Sequence, residues 1–257
     1  MIIDSHAHLA EEKDLDGALK RAKAAGVRGI VAVGTDEVSN KKIIELAQNF
    51  KGAEEYPLVY PALGVHPANA EKTDLACALA FIEKHINTAV ALGEIGLDYW
   101  YKAAKENGPG RRLQRELFFQ QLQFAVRYAK AVSIHSRAAW RDCWEMTRDS
   151  GIKKAVFHWY SGPEDVLGDI LKQGYLISAA PSAEYSREHQ RVIQLTPLEQ
   201  LLLETDAPVI FKPEAGKYES EPKDVLRTLR AVAKIKNLDE KKVAEETTKN
   251  ARRLFAL

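Results

Sequence analysis

Cysteine is scarce in this chain of 257 residues, which contains only Cys77 and Cys143 and no Cys-x-x-Cys pair. So few thiols exclude a disulfide-stabilised secreted scaffold and a cysteine-based zinc motif. Both cysteines lie in helix-like stretches, and we expect them to be buried, unpaired thiols. These features predict a protein of a reducing compartment, the cytoplasm.

Long apolar runs and an excess of charge of one sign are also missing. No apolar stretch approaches the length of a membrane-spanning helix, and the N-terminal segment lacks the charged region of a signal peptide. The formal net charge is +1, which is not the composition of a protein that coats duplex DNA. We expect no membrane association and no obligate protein partner, and any nucleic acid must bind a local basic rim.

Short apolar runs alternate with amphipathic helical runs along the whole chain. Eight of the apolar runs are rich in Val, Ile, Leu and Ala, as in parallel strands covered on both faces. They span residues 1–5, 29–33, 58–63, 90–95, 131–134, 155–157, 175–177 and 200–203. With no linker rich in Pro, Gly or Ser, residues 1–257 are predicted to form a single-domain α/β fold. This fold is a (β/α)8 TIM-like barrel, with an open doubly wound sheet as the alternative.

The first predicted strand runs into His6-Ala7-His8. Because side chains alternate along a strand, the two imidazoles point to the same side. Two neutral imidazoles in an apolar interior need partners, and a shared divalent cation satisfies them better than hydrogen bonds alone. Taken by itself, the pair could equally be two core or surface histidines bonded to the backbone.

Further ionisable residues stand where other predicted strands end. In a barrel these ends share one rim, where active sites of this fold lie. The residues are His6, His8, His66, Glu94, His135, His158 and Asp206. Imidazoles and carboxylates in this number suit two divalent ions, so we predict a metal site at the carboxyl ends of the strands. His85 and His189 fall elsewhere and are expected to be surface or capping residues.

Separate roles can be predicted for two of these residues, Glu94 and Asp206, and for the nearby Arg137. Glu94 is predicted to bridge the ions because its strand lies between the first strand and the later histidines, although an ion pair with Arg137 is the structural alternative. Asp206 lies beside the first strand when the barrel closes, and we expect it to bind an ion and to accept a proton from the attacking water. Arg137 is a candidate phosphate contact, since a guanidinium binds phosphate bidentately.

Six segments carry most of these residues: SHAHL at 5–9, GVHP at 64–67, GEIGLDY at 93–99, IHSR at 134–137, HWYSG at 158–162 and LLETDAP at 202–208. In this order they resemble the TatD-type metal-dependent deoxyribonucleases of the amidohydrolase superfamily, over nearly the whole chain. The resemblance implies two divalent ions, such as Mg, Mn or Zn. One would bind His6, His8, Glu94 and Asp206, and the other Glu94, His135 and His158.

The resemblance also implies an enzyme that hydrolyses phosphodiester bonds, typically stepwise from a 3′ end of single-stranded DNA or short oligonucleotides. His66 would then hydrogen-bond the scissile phosphate, with capping before Pro67 as its alternative role. Arg137 and Tyr160 are expected to contact the substrate, since aromatic rings beside the ligands could stack on bases.

One segment departs from the family's pattern. Ala215 and Ser220 stand where the family usually has Arg and Asn, and both of those residues help to shape the substrate rim. Lys212 and Lys217 could supply positive charge from shifted positions. The preference for substrate is therefore less well determined by the sequence than the metal chemistry.

Two other interpretations of the function stay open. The same barrel could serve a small-molecule amidohydrolase, lactonase or phosphotriesterase, or an ester hydrolase acting on D-aminoacyl-tRNA. Many small-molecule members bridge their metals with a carbamylated lysine at strand four, where this chain has Glu94 instead. An inert metal-binding or nucleic-acid-binding scaffold would keep the same ligands without turnover.

Overall fold

The computed structural model describes residues 1–101, 104, 108–214 and 216–257. Within them, eight parallel strands pair in sequence order to form one sheet. The strands are β1 (Ile2–Ala7), β2 (Val27–Val33), β3 (Leu58–Leu63), β4 (Ala91–Asp98), β5 (Ala131–Arg137), β6 (Ala155–Phe157), β7 (Leu176–Ala179) and β8 (Leu201–Leu203). The sheet curls into a nearly closed barrel with helices between its strands, so the predicted TIM-like fold is confirmed.

The helices of the described residues surround this barrel. They are α1 (Leu15–Ala24), α2 (Glu37–Asn49), α3 (Leu75–His85), α4 (Pro109–Arg127), α5 (Trp140–Ser150), α6 (Glu164–Lys172), α7 (Arg187–Leu195), α8 (Val225–Lys236) and α9 (Glu240–Phe255). Several begin at an Asp or Ser whose side chain accepts a backbone N–H of the first turn, as at Asp36 and Ser186. Among the described residues, no helix has both the length and the hydropathy needed to cross a bilayer.

The barrel closes between β1 and the segment that follows β8. The Asp206 N–H donates to the His6 carbonyl at 3.0 Å. Beneath this bond, the buried Asp4 carboxylate accepts from the Thr205 N–H at 3.0 Å and from the Thr205 hydroxyl at 2.6 Å. The closure therefore places the side chains of His6 and Asp206 next to each other.

All eight predicted strands are present, and the largest differences lie at the carboxyl ends of β4 and β5. These strands continue to Asp98 and Arg137, three residues beyond the predicted ends, and β1 continues two residues further than predicted, to Ala7. Parallel pairing persists through the polar residues, since Gly96 pairs with His135. His6 and His135 thus lie within strands rather than after them, where the backbone holds their side chains more firmly.

A small antiparallel hairpin covers part of the rim after β8. It consists of β9 (Ile210–Phe211) and β10 (Tyr218–Glu219). The buried Ser220 closes its base, because its hydroxyl donates to the Val209 carbonyl at 3.0 Å. The other position at which the sequence departs from the family's pattern, Ala215, lies outside the described residues.

The predictions for Cys77 and His189 are wrong. Cys143 is buried as expected, but Cys77 is exposed because the apolar side of α3 is formed by other positions of that helix. His189, expected at the surface or in a cap, is fully buried on α7. Its Nε2 accepts from the Ala180 N–H at 3.0 Å, and its Nδ1–H donates to the Tyr160 carbonyl at 2.9 Å. A neutral imidazole uses both ring nitrogens here.

Burial lowers the pKa of His189 to about 4, from 6.5. The unfolded chain therefore takes up a proton that the folded protein resists, and the free energy of unfolding falls as the pH drops from about 6.5 to about 4. The side chain in His189→Gln offers one acceptor and one donor and does not titrate. Between pH 7 and pH 4.5, the free energy of unfolding measured in urea should therefore fall by roughly 2–3 kcal/mol less in this variant than in the wild type. An identical pH dependence in both proteins would contradict this role of His189.

Candidate metal centre

The structure brings together every residue predicted as a metal ligand at the carboxyl ends of the strands. The ligand candidates are His6 and His8 on and after β1, Glu94 on β4, His135 on β5, His158 after β6 and Asp206 after β8. All of them except the fully buried His6 line a cavity of about 740 Å³, and His66 lines it as well. The predicted rim is therefore one contiguous site.

A first group of donor atoms lies around His6, His8 and Asp206. The Nε2 atom of His6 is 3.6 Å from Glu94 Oε2 and 3.5 Å from Asp206 Oδ1. The corresponding distances from His8 Nε2 are 3.4 Å and 3.1 Å. Four ligands at about 2.1 Å from a tetrahedral cation are about 3.4 Å apart, so this spacing fits a divalent ion.

A second group of donor atoms surrounds the other oxygen of Glu94. Glu94 Oε1 is 2.8 Å from both His135 Nδ1 and His158 Nε2, and these two nitrogens are 3.3 Å apart. His66 Nε2 is 3.7 Å from the same oxygen. Glu94 lies between the two groups, as a bridging ligand would. It does not form the alternative ion pair, because Arg137 pairs with Asp98.

The surroundings of two buried atoms indicate that the first donor group fits a cation. His6 Nε2 is buried without a hydrogen-bond partner among the described residues, and the buried Asp206 Oδ1 faces it at 3.5 Å and His8 Nε2 at 3.1 Å. Leaving a buried polar atom unsatisfied costs about 1–3 kcal/mol, and a divalent cation would satisfy both. The donor set of imidazoles and carboxylates is one that Zn, Mn and similar ions accept.

The charges of the site oppose the effect of burial. Burial alone would lower the pKa of His8, but the hydrogen bond and charge of Asp206 outweigh it and raise that pKa to about 9. Burial would raise the pKa of Glu94, but the charge of His158 and the hydrogen bonds of His135 and His158 hold it well below its usual value. Glu94 is therefore ionised, and His8 would have to lose its proton to hold a cation.

Two buried carboxylates behind the site have no role predicted from the sequence. Asp98 Oδ2 lies 2.9 Å from His135 Nε2, and Glu204 Oε1 lies 3.4 Å from His158 Nδ1. Both belong to segments that carry a ligand candidate, GEIGLDY and LLETDAP. An acidic residue four positions after Glu94, or two before Asp206, at the end of an apolar strand is the signal that could have identified them.

Side-chain amides from two helices hold the backbone that precedes His66. Asn40 of α2 donates to the Gly64 carbonyl at 2.9 Å and accepts from the Gly64 N–H at 3.1 Å. Gln121 of α4 forms the same double hydrogen bond with Val65, at 3.0 Å and 2.8 Å. These four bonds replace strand pairing where β3 ends, and they fix where His66 enters the cavity.

The prediction that Tyr160 contacts the substrate is wrong in this structure. Tyr160 is fully buried, and its hydroxyl donates to the Pro163 carbonyl at 2.8 Å. Its neighbour Trp159 lines the cavity instead, because the two adjacent side chains point in different directions. Arg137 does line the cavity, with its side chain about half exposed.

A TIM-like barrel with imidazoles and carboxylates grouped at the carboxyl ends of its strands defines a metal-dependent hydrolase. A family model described as TatD related DNase matches residues 3–256. The chain belongs to this family, as its six sequence segments predicted.

Individual relatives agree with this assignment over 94% or more of their own lengths. The chain is 32% identical to a Homo sapiens protein named deoxyribonuclease TATDN3, covering 99% of this chain and 94% of that protein. It is 33% identical to a Mycobacterium tuberculosis protein named as an uncharacterized metal-dependent hydrolase, TatD, covering 100% and 98%. The structure of the TatD homologue YJJV from Escherichia coli superposes with a TM-score of 0.88 at 26% identity, covering 100% of this chain and 98% of that one.

Glu94→Gln should weaken divalent-ion binding by both donor groups, since each oxygen of Glu94 faces one of them. We expect a loss of at least about tenfold in affinity, measured as metal content by plasma mass spectrometry after dialysis against buffered metal. Glu11→Gln, which alters an exposed carboxylate on the wall of the same cavity, is the matched control and should keep the wild-type content. Equal metal content in Glu94→Gln and wild type would contradict the shared role of Glu94.

Proposed function

We propose that this protein is a two-metal phosphodiesterase that removes nucleotides from the 3′ end of single-stranded DNA. The observation that carries the proposal is the pair of donor groups that share Glu94 and open on one cavity. The family and the relative named deoxyribonuclease support DNA as the substrate. The 3′-to-5′ direction and the preference for single strands come from the resemblance of the sequence segments.

The residues fit two divalent ions, with Mg, Mn or Zn as candidates. His6, His8, Glu94 Oε2 and Asp206 would hold one, and Glu94 Oε1, His135 and His158 the other. When bound, the ions would supply Lewis acidity at the phosphate and lower the pKa of water. The protein's own residues then have to orient the phosphate, accept a proton and exclude bulk water.

Asp206 is the group that we assign as proton acceptor. Burial would raise the pKa of its carboxyl, but the hydrogen bond and charge of His8 hold it below the ordinary value. Asp206 is thus ionised at neutral pH; it lines the cavity, and its Oδ1 lies 3.1 Å from His8 Nε2. An ionised carboxylate on the cavity wall can accept a proton from the attacking water.

His66 suits the role of a neutral hydrogen-bond donor to the phosphate. Its Nδ1 accepts from the Ala68 N–H at 3.0 Å, which leaves the ring proton on Nε2. Burial lowers the pKa of His66 to about 3, so the ring stays neutral at physiological pH. The capping role that the sequence left as an alternative therefore fixes the tautomer that a phosphate contact needs.

The remaining wall supports a nucleotide-sized ligand. A cavity of about 740 Å³ lies in the usual range for small-molecule sites, which favours a strand end over a duplex. Trp140, Trp159 and Tyr185 line it and could stack on bases without regard to sequence. Arg137 lies over the Tyr101 ring, 5.1 Å from its centroid, and is the proposed phosphate contact. The exposed Lys212 and Lys217 would add positive charge at the hairpin.

Asp206→Asn should abolish turnover while ions at His135 and His158 persist, because only the proton acceptor and one ligand of the first group are altered. The assay uses metal-stripped protein, a 5′-labelled single-stranded DNA oligonucleotide, and added Mg, Mn or Zn, resolved on a sequencing gel. A metal-dependent ladder that shortens from the 3′ end, absent from the variant, is the expected result.

Two outcomes of this assay would overturn parts of the proposal. Near-normal turnover by Asp206→Asn with both metals bound would show that another group accepts the proton. No cleavage by wild type with confirmed metal occupancy would overturn DNA hydrolysis, and the same protein would then be assayed on simple esters, lactones and D-aminoacyl-tRNA.

His66→Gln should lower kcat by about 10²–10³-fold, the usual loss for one donor to a developing negative charge. Because the pKa of His66 is about 3, the wild-type and variant rates should depend on pH in the same way between pH 5 and pH 8. Loss of one limb of the pH–rate profile in the variant would instead assign His66 to proton transfer.

A further inference from the structure

The two donor groups differ in what lies behind their histidines. Behind the first group, His6 Nδ1 is 3.2 Å from the Ser133 hydroxyl, and His8 Nδ1 is buried with no hydrogen-bond partner within the described part of the chain. Behind the second group, both histidines face a buried carboxylate, Asp98 or Glu204. One neutral hydroxyl therefore lies behind the histidines of the first donor group, whereas a carboxylate lies behind each histidine of the second.

Asp98 is held rigidly in this position. It is fully buried, and its Oδ2 accepts from Arg137 Nε at 2.8 Å and from Arg137 Nη2 at 2.7 Å. Its other oxygen, Oδ1, accepts from the Trp100 N–H at 2.9 Å. The carboxylate thus has fixed donors on both oxygens, and it turns Oδ2 towards His135 Nε2.

Glu204 is held in a comparable way on the opposite side of the second group. It too is fully buried, and its Oε2 accepts from the Ser178 hydroxyl. Ser178 is fixed in turn because its oxygen accepts from the Trp159 N–H at 3.1 Å. Glu204 Oε1 is left to face His158 Nδ1.

The groups also differ in the number of atoms they offer. The first provides His6, His8, Glu94 and Asp206. The second provides Glu94, His135 and His158, because the nearby His66 Nε2 carries the ring proton and has no lone pair to offer. A carboxylate that accepts the far N–H of a ligating imidazole fixes its tautomer and raises its basicity at the other nitrogen. Both buried carboxylates therefore stand behind the group with fewer donors.

We propose that Asp98 and Glu204 are positioning residues that allow this three-donor group to retain its ion. Loss of either converts a two-ion protein into a one-ion protein. The inference rests on the proposed two-ion function and deepens it, because it assigns the occupancy of one ion to residues that do not bind it.

The test uses Asp98→Asn and Glu204→Gln, which keep the shape of each side chain and remove its charge. Asp142→Asn is the matched control, since Asp142 is an arginine-paired carboxylate that bonds Tyr99 and Arg115 but no histidine. Metal-free proteins are titrated with Mn²⁺ by calorimetry, and the products are examined by electron paramagnetic resonance for a magnetically coupled pair. Circular dichroism and thermal melts establish that each variant is folded.

Wild type and Asp142→Asn should bind two equivalents and give a coupled spectrum. Asp98→Asn and Glu204→Gln should bind one equivalent of Mn²⁺ with an affinity like that of the wild type. Their affinity for the second equivalent should be about 10–100-fold weaker, and their spectrum should show no magnetic coupling. A residue that only stabilised the fold would change the melting temperature and leave the stoichiometry at two. The two variants alter different segments of the chain, β4 and the residues after β8, so either suffices if the other does not fold.

The result that overturns the inference alone is two equivalents with unchanged affinity in either folded variant, beside a wild type that binds two. A wild type that binds fewer than two equivalents overturns the inference together with the two-ion proposal. Cleavage of DNA is measured separately, so failure of the nuclease proposal is recognised without affecting the metal titration.

Discussion

The burial of one carboxylate governs the organisation of this protein. Glu94 is 2% exposed, and an ionised carboxylate at such a depth costs several kcal/mol unless opposite charge surrounds it. The parallel register of the barrel meets this requirement, because it brings the ends of β1, β3, β5 and the segments after β6 and β8 to one place. The fold and the charge balance of the site therefore depend on each other, because the register of the barrel places compensating side chains around Glu94 on β4.

Acidic and basic side chains alternate outward from Glu94. Imidazoles lie next to it, the carboxylates of Asp98 and Glu204 lie behind two of these imidazoles, and the guanidinium of Arg137 lies beyond Asp98. Each buried ionisable group thus has a partner of complementary character. The interior can hold this many ionisable side chains because their fields cancel over short distances rather than accumulate.

Local patterns predicted most of this arrangement, whereas features that depend on packing escaped prediction. Strand positions follow from apolar runs, and the ligand candidates follow from ionisable residues at their ends. The partnership of Asp98 with His135 joins two strands and has no local signature. The choice between Trp159 and Tyr160 depends on the path of a loop, and the exposure of Cys77 depends on the rotation of a helix that is apolar on several sides. His189 was misplaced for a related reason, because its partners are backbone groups of other segments.

The amide side chains of Asn40 and Gln121 bind main-chain atoms of Gly64 and Val65, the two residues that follow β3, and both come from helices rather than from loops. The backbone that leads to His66 is therefore anchored to the outer layer of the barrel. Loops at the rim can be exchanged, lengthened or reshaped without moving this part of the site. This separation makes the scaffold modular: selectivity can diverge at the surface while the same chemistry is inherited from the interior.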